Sequence, residues 1–294
     1  MTRLFPIAAI AVWLALPAPV DLIPLSREIV GGVGDHVIEV GETLARLGAR
    51  AGVDAGVLAR TNDLRAGAWL RPGSRIRIDN RHIVAVGRGS IVVNVPQRML
   101  FLTESEQTEL AFPVAAGRPT WPTPVGPFSI LTKELDPTWE VPISIQHEMI
   151  RAGRRPLSKV PPGPDNPLGD RWLGLSLSSV GIHGTNAADS IYRHQTHGCI
   201  RLHPDDVRTL FDRVSVGTDG EIVYQPLLLA VIQGHLYLES HRDVYRRAPD
   251  PLARLQATAA AAGLTARIDW DAAVAVIRES AGVPREIGSA AAGD

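Results

Sequence analysis

The sequence predicts a mainly β protein with α+β parts: a β-sandwich-like domain, preceded by a small βααβ unit and followed by a small α+β extension. Two observations predict this class. From residue 91 the chain consists of short apolar runs separated by Pro and Gly turns, which favours a β-rich sandwich over parallel α/β units. The 294 residues, 45% hydrophobic and 21% charged, are also enough for two or three globular domains.

Residues 1–25 are predicted to be a signal peptide or an N-terminal anchor. Arg3 provides a short positive start, and the run from Leu4 to Val20 is uncharged. No clean small-x-small cleavage site follows, and the run is shorter than the roughly 20 residues that span a bilayer comfortably. Both alternatives predict an exported protein.

Residues 35–80 show the βααβ pattern. We expect a strand over residues 36–40, a helix over 43–51 and a second helix capped by Asp54. A Pro-Gly turn then leads into an alternating strand over residues 75–78. The sequence therefore predicts a compact unit ahead of the β-rich domain.

Residues 90–225 are predicted to form the β-rich domain. We expect one helix over residues 204–214. The expected strands are 91–95, 99–102, 110–114, 128–131, 172–177, 180–182 and 220–224. The segment 136–170 is rich in Pro and Gly and poor in periodicity, and we expect a long functional loop that forms a lid or wall over the site.

Residues 226–288 are predicted to form the α+β extension. A hairpin over residues 228–239 turns at Gln233-Gly234, and helices follow over 251–262 and 269–280. Residues 289–294 are expected to be a disordered tail.

The chemistry of the chain points to Cys199, which is the only cysteine. A thiol attacks a carbonyl carbon as thiolate and needs a base for this. His183 lies sixteen residues before Cys199 and can come from a neighbouring strand, whereas His197 is too close along the chain to be a freely oriented base. Gly198 can adopt a backbone conformation that points amide N–H groups at a developing oxyanion. This arrangement is typical of acyl transfer.

Histidine and cysteine also bind zinc, so a zinc hydrolase is an alternative interpretation. Its candidate ligands would be His183, His194, His197, His203 and Cys199. A single thiolate without a CxxC pair argues against it. We therefore expect no metal and no cofactor. The net charge of −1 and the absence of basic runs interleaved with aromatics give no support for nucleic-acid binding.

The string HGTN at 183–186, followed by THGCIR at 196–201, resembles the signature of the L,D-transpeptidases (YkuD domain). The runs TWPTPVGPF (120–128), DPTWEVP (136–142) and PPGPDNPLG (161–169) resemble the periplasmic ErfK/YbiS/YcfS/YnhG branch. Residues 35–80 resemble a LysM module, with VGETLARL, ARTNDL and LRPGSRIRI in the matching places. Such modules bind N-acetylglucosamine-containing glycans.

The resemblance implies roles for individual residues. Cys199 would be the nucleophile and His183 its base, with the second ring nitrogen held by the carbonyl of Gly184. His197 and the amides of Gly198 and Cys199 would line the oxyanion site, and a guanidinium at Arg201 would suit substrate carboxylates. In close relatives an arginine stands five residues before the cysteine, whereas here that place holds His194. The expected substrate-binding residues are Arg201, Thr196, Asn186 and Arg193.

The resemblance also implies a periplasmic enzyme that acts on peptidoglycan. Its partners would be stem peptides with a meso-diaminopimelate donor, and glycan strands. The acyl acceptor would be a second stem, giving a 3-3 cross-link, or the terminal lysine of an outer-membrane lipoprotein. Water as acceptor would make the protein an L,D-carboxypeptidase or amidase. A non-catalytic cell-wall-binding protein is a further alternative.

Overall fold

The structure, a computed structural model, describes residues 21–105 and 107–289. Its N-terminal part contains β1 (Leu25–Ser26), β2 (Ile29–Val30), β3 (Val33–Val37), α1 (Leu44–Ala51), α2 (Ala55–Thr61), β4 (Arg75–Asp79) and β5 (His82–Ile83). The antiparallel pairing of β3 with β4 encloses the two helices, so the predicted βααβ order is confirmed. The first strand lies three residues earlier than predicted, and its pairing with the second strand ends next to the turn at Gly73, whose amide bonds the Ile38 carbonyl at 2.8 Å.

Side-chain caps fix both helices of this unit. The Thr43 hydroxyl accepts from the Arg46 amide, and the Asp54 carboxylate accepts from the Gly56 amide. Gly52, at φ +71°, ends α1 in the left-handed conformation that glycine adopts without strain. The buried side chains of the unit form its own core: Ile38, Leu44, Leu47, Val53, Leu58, Leu70 and Ile76.

The central part contains β6 (Ile91–Asn94), β7 (Met99–Glu104), β8 (Gln107–Gly117), β9 (Gly126–Leu135), β10 (Trp139–Glu140), α3 (Ile143–Arg151), β11 (Lys159–Val160), β12 (Arg171–Leu175), β13 (Gly181–His183), β14 (His194–Thr196), β15 (Ile200–Leu202), α4 (Pro204–Arg213) and β16 (Asp219–Val223). Nine strands form one sheet in the order β14-β8-β15-β13-β12-β9-β16-β6-β7. Because β7 also pairs with β8, the sheet closes on itself. The mainly β prediction is confirmed, and the expected sandwich is one continuous barrel-like sheet.

Helix α4 confirms the helix predicted from residue 204 and packs against the barrel core. It begins at Pro204 with Asp205 and Asp206 in its first turn, where carboxylates suit the positive end of the helix dipole. Val207 and Leu210 are fully buried against the barrel core. The helix thereby anchors the end of β15, which follows Cys199.

The segment 136–170 is more regular than predicted. It contains the short antiparallel pair β10–β11 and, between its two strands, α3. The prediction of a structureless loop was therefore wrong in this respect. Helix α3 has no buried side chain and begins after Pro142 without a side-chain cap, so it lacks the start signal from which a helix is usually recognised.

The C-terminal part contains β17 (Leu227–Ile232), β18 (His235–Ser240), α5 (Pro251–Ala261), α6 (Trp270–Glu279) and β19 (Arg285–Ser289). The hairpin and both helices match the prediction, whereas β19 lies where no strand was expected. Strand β1 pairs in parallel with β17, and Ile23 is buried in the same core, so the expected boundary at residue 25 falls inside this sheet. Residues 1–20 of the predicted signal or anchor, and residues 290–294 of the predicted tail, lie outside the described residues.

Among the helices of residues 21–105 and 107–289, none is both long enough and apolar enough to cross a bilayer.

Candidate active site

The candidate site lies on two neighbouring parallel strands, β13 and β15. Ile182 pairs with Ile200 and His183 pairs with Arg201, while Cys199 lies immediately before β15. Ile182 and Ile200 are fully buried in the barrel core, and side chains alternate along a strand, so His183 and Arg201 face the other way. The pairing thus brings the two motifs of the sequence together at one edge of the barrel.

His183 is buried and its ring is held on two sides. Its Nδ1 lies 2.7 Å from the Gly184 carbonyl oxygen, and the Trp172 ring stacks on it with centroids 5.9 Å apart. A carbonyl only accepts, so Nδ1 carries the proton and Nε2 keeps its lone pair. Burial, together with the nearby Arg201 charge, lowers the pKa of His183 to about 3. The imidazole is therefore neutral and has a free basic nitrogen.

Cys199 is half-buried and in the thiol form. Burial raises its pKa, although the Gly181 amide and the Arg201 charge act in the opposite direction. The thiol donates to the Ser179 carbonyl, with Sγ and O 3.7 Å apart. Among the hydrogen bonds of the described residues there is none between Sγ and the His183 ring, and the thiol bonds the Ser179 carbonyl instead.

Two buried threonines fix the backbone between Thr196 and Cys199. The Thr196 hydroxyl donates to the Cys199 carbonyl at 2.6 Å and accepts from the Gly198 amide at 3.2 Å. The Thr123 hydroxyl donates to the Gly198 carbonyl at 2.9 Å and accepts from the Gly117 amide at 2.8 Å. Gly198 has φ +111°, which a residue with Cβ rarely adopts. Of the two amides expected at the oxyanion site, that of Gly198 is therefore engaged within the loop.

His197 points toward α3 and a neighbouring arginine. Its Nε2 lies 2.9 Å from Glu148 Oε2 and 2.9 Å from Arg118 Nη2, and the Trp121 ring contacts it edge-on at 5.3 Å. Arg118 also pairs with the Glu148 carboxylate. Hydrogen bonds from His197 and Arg118 hold the pKa of Glu148 below its ordinary range, so Glu148 is ionised. Sequence reasoning missed Arg118, Glu148 and Thr123; only the quoted run 120–128 pointed to the neighbourhood of Thr123.

The expected substrate-binding residues are spread over a wider surface. Arg201 is half-buried, and its Nη1 donates to the Ser190 hydroxyl at 2.9 Å. Asn186 is exposed on the loop after the HGT motif, and Arg193 is exposed one residue before β14. His194 bonds the Val95 carbonyl at 3.0 Å. The structure therefore gathers His183, Thr196 and Arg201 around the cysteine but leaves Arg193 outside.

The histidines considered as zinc ligands face different partners. Within residues 21–105 and 107–289, no three His, Cys, Asp or Glu side chains are arranged to hold a metal ion. His183 bonds a carbonyl, His194 bonds another, and His197 contacts Glu148 and Arg118. The described residues do not support a metal centre at this site.

A cavity of about 1020 Å³ separates the βααβ unit from the loop that follows His183. It is lined on one side by β3 and α1, and on the other by Asn186 to Asp189 and His203. Arg46 pairs with Asp189 at 3.0 Å and Arg50 with Asp206 at 2.9 Å across the two parts. The N-terminal unit therefore lies beside the loop that follows His183, with an open cleft between them.

Comparison with known proteins gives a consistent result. The L,D-transpeptidase catalytic domain (YkuD) family model matches residues 88–224. The chain is 33% identical over 133 residues to the putative L,D-transpeptidase YqjB of Bacillus subtilis, a match that covers 44% of this chain and 67% of YqjB. It is 32% identical over 162 residues to the probable L,D-transpeptidase YbiS of Escherichia coli, covering 54% and 52% of the two chains.

A longer match is found with the probable L,D-transpeptidase YcfS of Escherichia coli. The two chains are 29% identical over 255 residues, which cover 82% of this chain and 79% of YcfS. The match to YbiS, in contrast, spans about half of that relative's length. The range matched by the family model, residues 88–224, includes both Cys199 and His183.

Proposed function

The chain belongs to the L,D-transpeptidase (YkuD) family, and from this premise we propose that it is an exported L,D-transpeptidase acting on peptidoglycan stem peptides. Cys199 would form a thioester with the residue at the third position of a donor stem and release the fourth residue. An amine would then take the acyl group. The single observation that carries the proposal is the parallel pairing of β13 with β15, which places a neutral His183 on the strand beside Cys199.

The first step is attack of Sγ on the donor carbonyl carbon. Because both partners are neutral at rest, the proton passes from Sγ to His183 Nε2 as the S–C bond forms, instead of being lost beforehand. The Gly184 carbonyl keeps Nδ1 protonated and so keeps Nε2 available. Rotation about the Cys199 Cα–Cβ bond moves Sγ between staggered positions without moving the backbone, and substrate binding would select the one that faces His183.

The second step is collapse of the tetrahedral intermediate. The C–N bond breaks, and the leaving amine takes the proton from His183 Nε2. The Cys199 amide would face the negative oxygen, and the Gly198 amide would join it if it leaves the Thr196 hydroxyl. An acceptor amine then attacks the thioester carbon and passes its proton to His183 Nε2. The C–S bond breaks, and Sγ takes that proton back, which restores the thiol.

The acceptor defines the finer function. A second stem gives a 3-3 cross-link, an outer-membrane lipoprotein lysine gives an anchored protein, and water gives carboxypeptidase or amidase activity. The βααβ unit would hold the glycan strand near the site, in keeping with its LysM-like sequence and with the cleft beside Asn186. The periplasm is the compartment in which these substrates meet.

The test is incubation of the purified protein with disaccharide-tetrapeptide, followed by mass spectrometry of the products. We expect a cross-linked dimer and a thioester on Cys199, both lost in Cys199→Ala and retained in the exposed-site control Ser178→Ala. Trimmed tripeptide without dimer would indicate water as acceptor. No turnover by folded protein that still binds peptidoglycan would favour the non-catalytic alternative.

A further inference from the structure

Residues 137–166 form a flap that is joined to the barrel at its base. It consists of β10, α3 and β11, and Asn166 closes it: the fully buried side chain donates to the Pro137 carbonyl at 2.8 Å and accepts from the Leu168 amide at 2.9 Å. Helix α3 has no buried side chain, and Ile143 and Ile150 on it are 71% and 55% exposed. The flap is therefore held firmly at its base but not by apolar packing of its helix.

Glu148 is the residue through which α3 contacts the loop that carries His197 and Cys199. Its carboxylate pairs with Arg118 and with His197, the latter at 2.9 Å. All three side chains are about one-quarter to one-third exposed, so water can reach the cluster. Such a contact is worth little in stability and can exchange for another anion of similar geometry.

Arg118 lies directly beside the loop that carries Cys199. Its backbone amide donates to the Thr196 carbonyl at 3.1 Å, and its guanidinium reaches His197, two residues before the nucleophile. Its Nε is buried and has no hydrogen-bond partner in the part of the chain that the structure describes. One face of a group suited to bidentate carboxylate binding is thus left unused.

The three groups cannot all be satisfied at once. Arg118 only donates, so its contact with His197 Nε2 requires a lone pair on that nitrogen, whereas the Glu148 contact requires a proton there. An arrangement with one conflicting contact is easier to displace than a fully paired network. A substrate carboxylate that takes Arg118 would leave Glu148 and His197 with compatible roles.

We propose that Arg118 binds the terminal carboxylate of the donor stem, and that Glu148 of the flap occupies the place of that carboxylate until substrate arrives. The inference rests on the proposed function for the identity of the anion, but not for the presence of an anion site. The terminal residue of the donor carries this carboxylate and leaves when the peptide bond breaks. Arg118 would therefore help to bind the donor before cleavage. After cleavage Glu148 would return to Arg118 and displace the released residue. This assigns to Arg118 a role expected from the sequence for Arg201 and Arg193.

The lone thiol permits a test that does not depend on transpeptidation. Iodoacetate and iodoacetamide alkylate the same sulfur by the same displacement of iodide but differ in charge, so the ratio of their rates at Cys199 reports an accessible cation near the sulfur. We expect Glu148→Gln to raise the iodoacetate-to-iodoacetamide ratio and Arg118→Gln to lower it, by about fivefold each at low ionic strength. High salt should reduce both effects.

Matched controls lie on the same flap. Glu140 is exposed and pairs only with Lys159 in the described residues, and Arg155 is also exposed. Glu140→Gln and Arg155→Gln should leave the ratio unchanged. Unchanged ratios in both folded test variants would overturn the inference; if Arg118→Gln does not fold, an unchanged ratio in Glu148→Gln alone does so.

A second measurement links the anion site to substrate. The KM of disaccharide-tetrapeptide is compared with the KM of its C-terminal amide, and we expect a lower KM for the acid. Arg118→Gln should remove this difference in KM, and Glu148→Gln should increase it. Turnover with a preference that is insensitive to both variants would sink the inference while the proposed function stands. Shifted alkylation ratios without any turnover would support the anion site while the proposed function fails.

Discussion

At the scale of residues, the state of the nucleophile is set by burial. The same desolvation that lowers the pKa of His183 to about 3 raises that of Cys199, so neither carries charge at neutral pH. A thiolate–imidazolium pair would require the opposite shifts. In the mechanism that we propose, the proton would therefore be transferred during attack, and the reactivity of Cys199 toward small electrophiles should be low.

This predicts a simple pH profile for alkylation of Cys199 by iodoacetamide. The rate should rise with pH to a midpoint above that of an ordinary thiol, about 8.5, and should show no inflection between pH 5 and 7, because His183 does not titrate there. Quantitative labelling followed by mass spectrometry measures it, with Cys199→Ala as the blank. An inflection near pH 6.5 that disappears in His183→Ala would contradict the neutral pair.

Thr123 is a second residue whose effect can be predicted. Its buried hydroxyl joins the Gly117 amide to the Gly198 carbonyl, and Thr123→Val leaves both groups without that partner. We expect a loss of about 1–3 kcal/mol in the free energy of unfolding, measured by urea denaturation. Thr120→Val, at an exposed position of the same turn, should change stability little. Equal stability of the two variants would contradict this account.

At the scale of elements, the flap depends on a single buried amide. Asn166 donates to the Pro137 carbonyl at the start of the flap and to the Pro161 carbonyl near its end, and it accepts from the Leu168 amide just beyond its end, whereas α3 itself contributes no buried side chain. A segment with few buried apolar contacts opens locally without global unfolding. The base, and not the helix, is thus what keeps the flap ordered over the site.

We predict that Asn166→Ala accelerates tryptic cleavage in the flap. Arg151 and Arg154 are exposed there, and cleavage after them should become several-fold faster while the rest of the chain stays resistant. Timed digestion with mass spectrometry locates the cuts, and Asn186→Ala, an exposed asparagine in another loop, is the control. Digestion spread evenly over the chain would mean that Asn166 supports the whole fold instead.

At the scale of the whole molecule, a buried polar cluster joins the three parts. The Glu239 carboxylate on β18 accepts from the Ile83 amide at 2.6 Å and from Gln97 at 2.9 Å, and contacts His82 at 3.1 Å and His241 at 2.7 Å. His82 in turn lies 2.9 Å from the Gly52 carbonyl at the end of α1. The βααβ unit, the barrel and the C-terminal sheet therefore share one fully buried carboxylate.

We predict that Glu239→Ala destabilises the protein by about 3–5 kcal/mol, because it leaves buried donors without an acceptor. Glu286→Ala removes an exposed pair with His235 and should cost at most about 1 kcal/mol. Denaturant unfolding of both variants tests this. Similar losses would show that the cluster is not a structural joint.

Stability should also fall steadily in acid. Although burial raises the pKa of Glu239, its histidine partners outweigh this and hold it at about 2, while burial lowers the pKa values of His183 and His241. In each case the unfolded chain binds the proton at a higher pH than the folded chain does, so protonation favours unfolding. The stability contributed by the two histidines is therefore lost as the pH falls below about 6.5, and that contributed by Glu239 as it falls below about 4.5. Melting temperatures measured at pH 7, 5.5 and 4.5 should decline, and a flat series would contradict the pKa directions.

Local patterns by themselves determined the order of elements and the identity of the two motifs. Turn residues, caps such as Thr43 and Asp54, and the Gly198-Cys199 step act over a few residues, so they can be recognised in the chain. Helix α3 and strand β19 were missed because the first lacks a buried face and the second is defined by its partner β18.

Only the tertiary structure decided which side chains meet. The contacts of Glu148 with Arg118 and His197, and the contact of His82 with Glu239, join residues 30 to 157 positions apart. Contacts of that kind depend on how strands pair and where helices pack. They form only when the whole chain has folded, so no short segment of the sequence specifies them. A charged residue in an irregular segment, such as Glu148, carries no local sign of the partner that it will find.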